Sequence, residues 1–206
     1  MRALLVAAAG IAVAFGAVGC SEEAPPSDHT IVQPGKPGEQ NKTLSPEEAE
    51  SAVPKVKPND ADIAYVRGMI VHHQQALDMT ALAPERAANT QLKGLADRIS
   101  DVQGPEIGMM NRWLTGHDLP AVNPTDAHAH AAMPGMATAE EMAALAAASG
   151  PAFDRLFIDL MIRHHEGAIR MATDVKTKGI DVQVQEMADD VVAEQGDEIA
   201  RLEGMR

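Results

Sequence analysis

Two short stretches of this sequence combine side chains that bind transition metals. In the first, Met69 is followed by the adjacent pair His72 and His73, and then by Met79. Positions three and four apart lie on the same face of an α-helix, so Met69 and both imidazoles project to one side. Thioether and imidazole groups are ligands for soft and borderline metal ions. The stretch therefore predicts a helical metal site.

The second stretch repeats the first with an offset of 92 residues. The equivalent residues are Met161, His164, His165 and Met171. Outside the motif, the same ungapped register aligns Asp62 with Asp154 and Ile107 with Ile199. Such a match indicates a duplication, in which each half needs the other to cover its apolar face. The repeated histidines and methionines are then expected to face a shared centre.

Apolar residues recur at intervals of three and four through both halves, which is typical of amphipathic helices. Asn59 or Asp60 can cap the first helix, the second helix is expected to begin after Asn89-Thr90, and Asp181 predicts the start of the last one. Pro105 lies inside the second helix and predicts a kink there, not a break. The predicted fold is all-α: an antiparallel four-helix bundle over residues 59–206, built from two duplicated helical hairpins.

Polar residues fall level with the histidines when each hairpin is folded back at its turn. They are Gln103 and Glu106 in the first half and Gln195 and Glu198 in the second. One interpretation is purely structural: imidazoles, amides and carboxylates satisfy each other by hydrogen bonds, and the methionines fill the core. Two histidine pairs related by duplication, each flanked by methionines, favour metal binding over this interpretation.

The available ligands favour copper. Cys20 is the only cysteine in the sequence, so a site in the helices has no thiolate. Cu(I) accepts thioether sulfur, and Cu(II) binds nitrogen and oxygen ligands tightly. Zinc held by histidine and carboxylate remains an alternative.

An insert at about 117–150 separates the two halves and carries similar side chains. They are His128, His130, Met133 and Met136. This loop is either a secondary metal site or a solvated segment, and Thr138 predicts a short helix after it. Binding in the loop would have to order several residues at about 1–2 kcal/mol each, so a loop site is expected to be weaker than the helical one.

The N-terminal region predicts export. Residues 1–19 contain Arg2 and an apolar run, as in a signal peptide, and small residues precede Cys20 as in a bacterial lipobox. We expect a lipoprotein anchored through Cys20 to the cell membrane and facing the periplasm or the extracellular side, with an ordinary secreted protein as the alternative. Residues 20–58 hold seven of the thirteen prolines and predict a disordered tether.

The formal net charge of −13 bears on the partners of the protein. Nucleic acids and anionic lipid surfaces repel such a chain. The expected partners are therefore a metal ion and, through the lipid anchor only, a membrane.

The two motifs, Met69–Ala76 and Asp159–Ala168, resemble the signatures of the domain of unknown function 305 family, and the resemblance covers residues 59–206. It implies a ferritin-like helical bundle in an exported bacterial protein associated with copper binding or copper tolerance. Carried over by position, the implied metal ligands are Met69, His72, His73, Met79, Met161, His164, His165 and Met171. Gln103, Glu106, Gln195 and Glu198 are the nearby polar groups.

Three functions are compatible with these features. The first is a cell-envelope copper-binding protein for metal buffering, tolerance or delivery. The second is a ferritin-like metalloenzyme such as an oxidase, but these sites use a Glu-x-x-His pair on each of two helices, and the sequence contains no such pair. The third is a metal-free helical interaction module whose buried polar groups fix helix register. We expect the first, without enzymatic activity.

Overall fold

The computed structural model describes residues 31–52, 57–125 and 133–206. The predicted signal peptide, Cys20, His128 and His130 lie outside these ranges. The chain divides into two compact units, one ending at Pro54 and the other spanning Lys55–Arg206. In the ranges described, no helix has the length and apolar character needed to cross a membrane.

The first unit contains a small β-hairpin and a short helix. Strands β1 (Ile31–Gln33) and β2 (Lys42–Leu44) pair in antiparallel fashion, with Ile31 opposite Leu44. Helix α1 (Pro46–Ala52) follows directly. This arrangement differs from the disordered tether expected for residues 20–58.

Local hydrogen bonds account for the difference. Gly38 has a φ of 91°, which places the turn in the left-handed region that favours glycine, and Asn41 Oδ1 accepts the Gly35 amide at 3.1 Å. Ser45 and Glu48 form reciprocal hydrogen bonds at the start of α1, as in a capping box. A low apolar content does not reveal turn and cap chemistry of this kind.

The second unit is almost entirely helical, which confirms the all-α prediction. Its helices are α2 (Asp60–Thr80), α3 (Ala83–Arg86), α4 (Thr90–Gly116), α5 (Ala139–Ala147), α6 (Pro151–Lys178) and α7 (Val182–Glu203). Helix α2 packs against α4, and α6 packs against α7, so each half of the duplication forms a helical hairpin. The two hairpins meet where α2 packs against α6.

Three of the four long helices begin at caps indicated by the sequence. Asn59 caps α2, Asn89 caps α4 and Asp181 caps α7, each through a side-chain oxygen that accepts backbone amides. Thr138 caps α5 with a capping box. Helix α4 continues through Pro105 without a break.

The duplication also produces a reciprocal connection between the hairpins. Asp62 on α2 is fully buried and accepts the amide of Ile180, at the start of α7, at 3.1 Å. Its equivalent Asp154 on α6 accepts the amides of Ala88 and Asn89, at the start of α4, at 3.0 Å each. The first helix of each hairpin thus supplies hydrogen-bond acceptors to the second helix of the other.

Replacing Asp62 with alanine tests this connection. The change leaves buried backbone amides without acceptors, so we expect the free energy of unfolding to fall by about 1–3 kcal/mol in urea titrations. Asp60→Ala is the matched control, because it removes the same charge from the same helical turn but at an exposed position. If the free energy of unfolding fell equally in the two variants, the charge at the start of the helix would account for the effect and the buried hydrogen bonds of Asp62 would not.

The core of the unit consists of two apolar clusters. One joins the C-terminal half of α2 to the N-terminal halves of α4 and α6, and includes Ala76 and Phe157. The other joins the N-terminal half of α2 to the C-terminal halves of α4 and α6, and includes Val66 and Trp113. Between the clusters, the long helices contribute residues 71–75, 100–106, 163–167 and 193–198. These four segments hold all the predicted histidine ligands of the helices.

Candidate metal centre

A buried polar layer crosses the middle of the helical unit, and we call it the histidine layer. Its members are His72, His73, Gln103, Glu106, His164, His165, Gln195 and Glu198. All four histidines are 0% exposed, and the two glutamate side chains are 14% exposed. The structure therefore brings the two histidine pairs and all four predicted polar neighbours into one layer.

The centre of the layer is a pair of stacked imidazoles. The ring centroids of His72 and His164 are 3.8 Å apart, with an interplanar angle of 39°. Burial, with smaller contributions from the neighbouring His73 and His165, lowers the pKa of His72 to about 3, although the hydrogen bond to Pro134 acts in the opposite direction. Burial also holds the pKa of His164 well below its ordinary value, and the other histidines of the layer add to this effect. Both rings are therefore neutral at physiological pH, and each has a lone pair available for a metal.

Each outer histidine lies against a glutamate of the partner helix in its own hairpin. His165 Nε2 and Glu198 Oε2 are hydrogen-bonded at 2.6 Å. His73 Nε2 lies 2.8 Å from Glu106 Oε2, although the N–H is not aligned for a hydrogen bond. A carboxylate that accepts from one ring nitrogen fixes the orientation of the imidazole and is a common companion of metal-binding histidine. Glu106 and Glu198 are thus placed to orient the rings.

His72 is oriented by the insert. Its Nε2 donates to the carbonyl oxygen of Pro134 at 3.0 Å. Because a carbonyl oxygen can only accept, the proton of the neutral ring lies on Nε2, and Nδ1 carries the free lone pair. In His165, a carboxylate of Glu198 likewise accepts from Nε2 and leaves the lone pair on Nδ1.

Buried polar atoms without a hydrogen-bond partner are concentrated in this layer, among the residues described. They include Nδ1 of all four histidines, Nε2 of His164, both amide atoms of Gln103 and Oε1 of Gln195. An unpaired buried polar group costs about 1–3 kcal/mol. Such a group of unsatisfied donors and acceptors indicates that the layer takes a partner, either a metal ion or ordered water.

The repeated methionines lie on both sides of the layer. Met79 and Met161 belong to one apolar cluster, whereas Met69 and Met171 pack with the other. The first three are fully buried, and Met171 is half-buried. In the described ranges, no three His, Cys, Asp or Glu side chains are arranged to hold a metal ion.

Part of the insert is docked on the helices, and we call residues 133–138 the strap. Gln75 holds Ala137 through two hydrogen bonds, accepting its amide at 2.7 Å and donating to its carbonyl at 2.9 Å. Pro134 and Gly135 lie directly on Gly167 of α6, where a Cβ would overlap the carbonyl oxygen of Pro134. The strap therefore crosses the contact between α2 and α6 above the central histidine pair.

The sequence predicts a loop here and does not identify the residues that dock it. Gly135 has a φ of 80°, and Gly167 interrupts an otherwise regular helical pattern. Glycines at a turn and opposite it on a helix are the signal that could have indicated a close approach of two backbones. Met133 and Met136 of the predicted secondary site lie in the strap and are half-buried.

The lowered histidine pKa values predict how stability depends on pH in the metal-free protein. Between about pH 6.5 and pH 3 the unfolded chain binds a proton on His72 that the folded protein does not, so stability falls as the pH falls through this window. The lowered pKa of His164 acts in the same direction below about pH 6.5. The contribution is at most about 1.4 kcal/mol per pH unit for each histidine. Urea titrations from pH 4 to pH 7 measure it. A double His72→Gln, His164→Gln variant should show a shallower pH dependence, and an unchanged slope would contradict this origin.

Comparison with known proteins supports a relationship over the helical unit. The family model described as "Domain of unknown function (DUF305)" matches residues 62–206. A DUF305 protein from Streptomyces coelicolor, described as secreted, is 32% identical with a TM-score of 0.62, covering 69% of this chain and 89% of that one. A DUF305 fragment from Deinococcus radiodurans is 31% identical with a TM-score of 0.66, covering 73% and 97%. No curated protein is matched.

Solved structures of a further relative contain metal ions. CopM in its Cu(II)-bound form is 30% identical with a TM-score of 0.59, covering 70% of this chain and 94% of CopM. CopM has also been solved with Cu(I), with silver and in the apo form.

Proposed function

Because the chain belongs to the DUF305 family, we propose that it is an exported protein of the cell envelope that binds copper in its histidine layer. The observation that supports this most directly is the set of four fully buried imidazoles with unpaired nitrogens. A core that served only for packing would gain stability from apolar side chains at these positions. The retained imidazoles are best explained by a ligand that uses their lone pairs.

The donor set fits copper better than zinc. The central imidazoles are held neutral by burial, and neutral imidazole is the form that binds metals. Thioether sulfur selects Cu(I), and imidazole also suits Cu(II). CopM, which is similar to this chain, binds both copper ions and silver. Zinc usually takes thiolate, imidazole and carboxylate ligands, so the methionines give it no advantage.

We assign the ligands, which can serve more than one copper ion, from the repeated motifs and their places in the structure. They are Met69, His72, His73, Met79, Met161, His164, His165 and Met171. Glu106 and Glu198 orient the outer histidines and are not required as ligands themselves. We also propose that the two hairpins pack as the four-helix bundle that the duplication predicts, of the ferritin-like type that the family resemblance implies, with the site where α2 packs against α6.

The location at the cell envelope is proposed from the sequence. Residues 1–19 have the pattern of a signal peptide, and Cys20 has the position of a lipidated cysteine. A lipid anchor would keep the copper site at the membrane surface, for metal buffering, tolerance or delivery. A Cys20→Ala variant that still fractionates with membranes would argue against the anchor and leave the copper site untouched.

Two other functions are less well supported. An oxidase of the ferritin-like type would need Glu-x-x-His pairs, which the sequence lacks. A metal-free interaction module would use the layer only to fix helix register. The copper titration described next separates that module from a copper carrier.

The proposed function is tested by metal titration of the purified chain. Cu(I) is titrated without oxygen against a competing chelator, and Cu(II) and Zn(II) are titrated in parallel. We expect at least one copper ion per chain to bind more tightly than zinc. If copper binds no more tightly than zinc, or does not bind, the protein is not a copper carrier.

A further inference from the structure

We propose that Met133 of the strap and Met171 of α6 together bind one soft ion, Cu(I) or Ag(I), above Gly68 of α2. The site deepens the proposed function, since it takes the same metal as cargo. It joins a residue of the insert to a residue of the repeated motif, which the sequence assigns to separate sites.

The geometry at Gly68 supports this site. The position that a Cβ would occupy at residue 68 lies 3.4 Å from Met133 Sδ and 3.2 Å from the terminal methyl of Met171. The Met133 sulfur and the end of the Met171 side chain therefore lie next to the same point on α2, one contributed by the strap and the other by α6. Because residue 68 has no side chain, the point remains available to them.

The duplication shows that this arrangement is specific to one half. The residue equivalent to Gly68 is Leu160, and the residue equivalent to Met171 is Met79. Leu160 and Met79 are both buried in the same apolar cluster. In that half a leucine side chain fills the space beside the methionine. In the other half a glycine leaves room for Met133.

Met133 is held in place by the residues that follow it. Pro134 accepts the hydrogen bond from His72, Gly135 packs on Gly167, and Ala137 is held by Gln75. A ligand on an anchored segment loses less conformational freedom when an ion binds than a ligand on a free loop does. The two sulfurs are thus largely positioned before the ion arrives.

The chemistry of the pair selects the ion. Thioether is a neutral, soft ligand that binds Cu(I) and Ag(I) and has little affinity for Cu(II) or Zn(II). Met133 and Met171 are half-buried, whereas the adjacent His72 is fully buried. The pair is therefore more accessible to solvent than the histidine layer, and an ion from outside can reach it first.

The test uses Ag(I), which is soft and does not change oxidation state, together with Cu(I). Protein carrying ¹³C-methyl methionine is titrated and followed by NMR, with Met133→Leu and Met171→Leu used to assign the two methyl signals. We expect the two signals to shift together, with the same equivalent of Ag(I). Signals that shift with different equivalents would overturn the shared site.

Two variants and a control complete the test. Met133→Leu removes a sulfur, and Gly68→Leu fills the space as Leu160 does in the other half. We expect each to weaken one Cu(I) equivalent by at least about tenfold, with Cu(II) binding unchanged. Met142→Leu is the control, because Met142 is a half-buried methionine of α5 outside the strap and the repeated motifs, and it should match the wild type. Unchanged Cu(I) binding in Met133→Leu overturns the shared site, whereas absence of copper binding in the wild type overturns the proposed function instead.

Discussion

Replacing both central histidines, as His72→Leu with His164→Leu, is expected to abolish tight copper binding and to leave the protein folded. The two rings stack at the contact between α2 and α6, and both are neutral, so removing them takes away the proposed central nitrogen ligands of the layer. We expect the affinity for copper to fall by at least about a thousandfold, equivalent to roughly 4 kcal/mol. Competition titration with a copper chelator measures this loss.

The same variant distinguishes a binding site from a structural layer. Leucine removes three unpaired buried nitrogens, and replacing buried polar groups by apolar ones of similar size is often neutral or stabilising. We therefore expect the metal-free variant to unfold at the same or a higher urea concentration than the wild type. His117→Leu is the control, since His117 lies outside the layer and is partly exposed. A destabilised variant that still binds copper tightly would show that the pair is structural.

The helical part of the fold could be predicted because its determinants are local. The capping residues Asn59, Asn89 and Asp181 lie where the structure has helix starts, and the offset of 92 residues relates the two hairpins. The turn positions also place Gln103 and Glu106 level with the first histidine pair. The structure has Glu106 2.8 Å from His73.

The strap and the exchange between hairpins could not be predicted in the same way. The contact of Pro134 with Gly167 and the hydrogen bonds of Gln75 to Ala137 join residues far apart in sequence. No periodicity specifies such a contact, because a loop has no repeating face. The role of Asp62 could not be predicted either. Its alignment with Asp154 is visible in the sequence, but its hydrogen bond with the start of α7 depends on how the hairpins pack.

The second large effect concerns the strap. We expect two glycine-to-alanine substitutions, Gly167→Ala and Gly196→Ala, to change the free energy of unfolding in opposite directions. A Cβ at residue 167 would overlap backbone atoms of Pro134, and backbone cannot move aside as the end of a flexible side chain can. Gly167→Ala should therefore displace the strap and lower the free energy of unfolding by about 1–3 kcal/mol. Gly196→Ala on α7 has no atom within 4 Å of the new Cβ, so it should stabilise by about 0.5–1 kcal/mol, as alanine does in a helix.

Hydrogen exchange can test whether the strap is the element displaced in Gly167→Ala. The Ala137 amide donates to Gln75 Oε1 and is buried, so it should exchange slowly in the wild type and in Gly196→Ala. In Gly167→Ala the same amide should exchange much faster, while amides in the middle of α4 stay protected. Displacement of the strap also removes the acceptor of His72 and the sulfur of Met133, so Cu(I) affinity should fall in this variant alone. If Gly167→Ala keeps both slow exchange at Ala137 and full stability, the strap does not rest on α6 in solution.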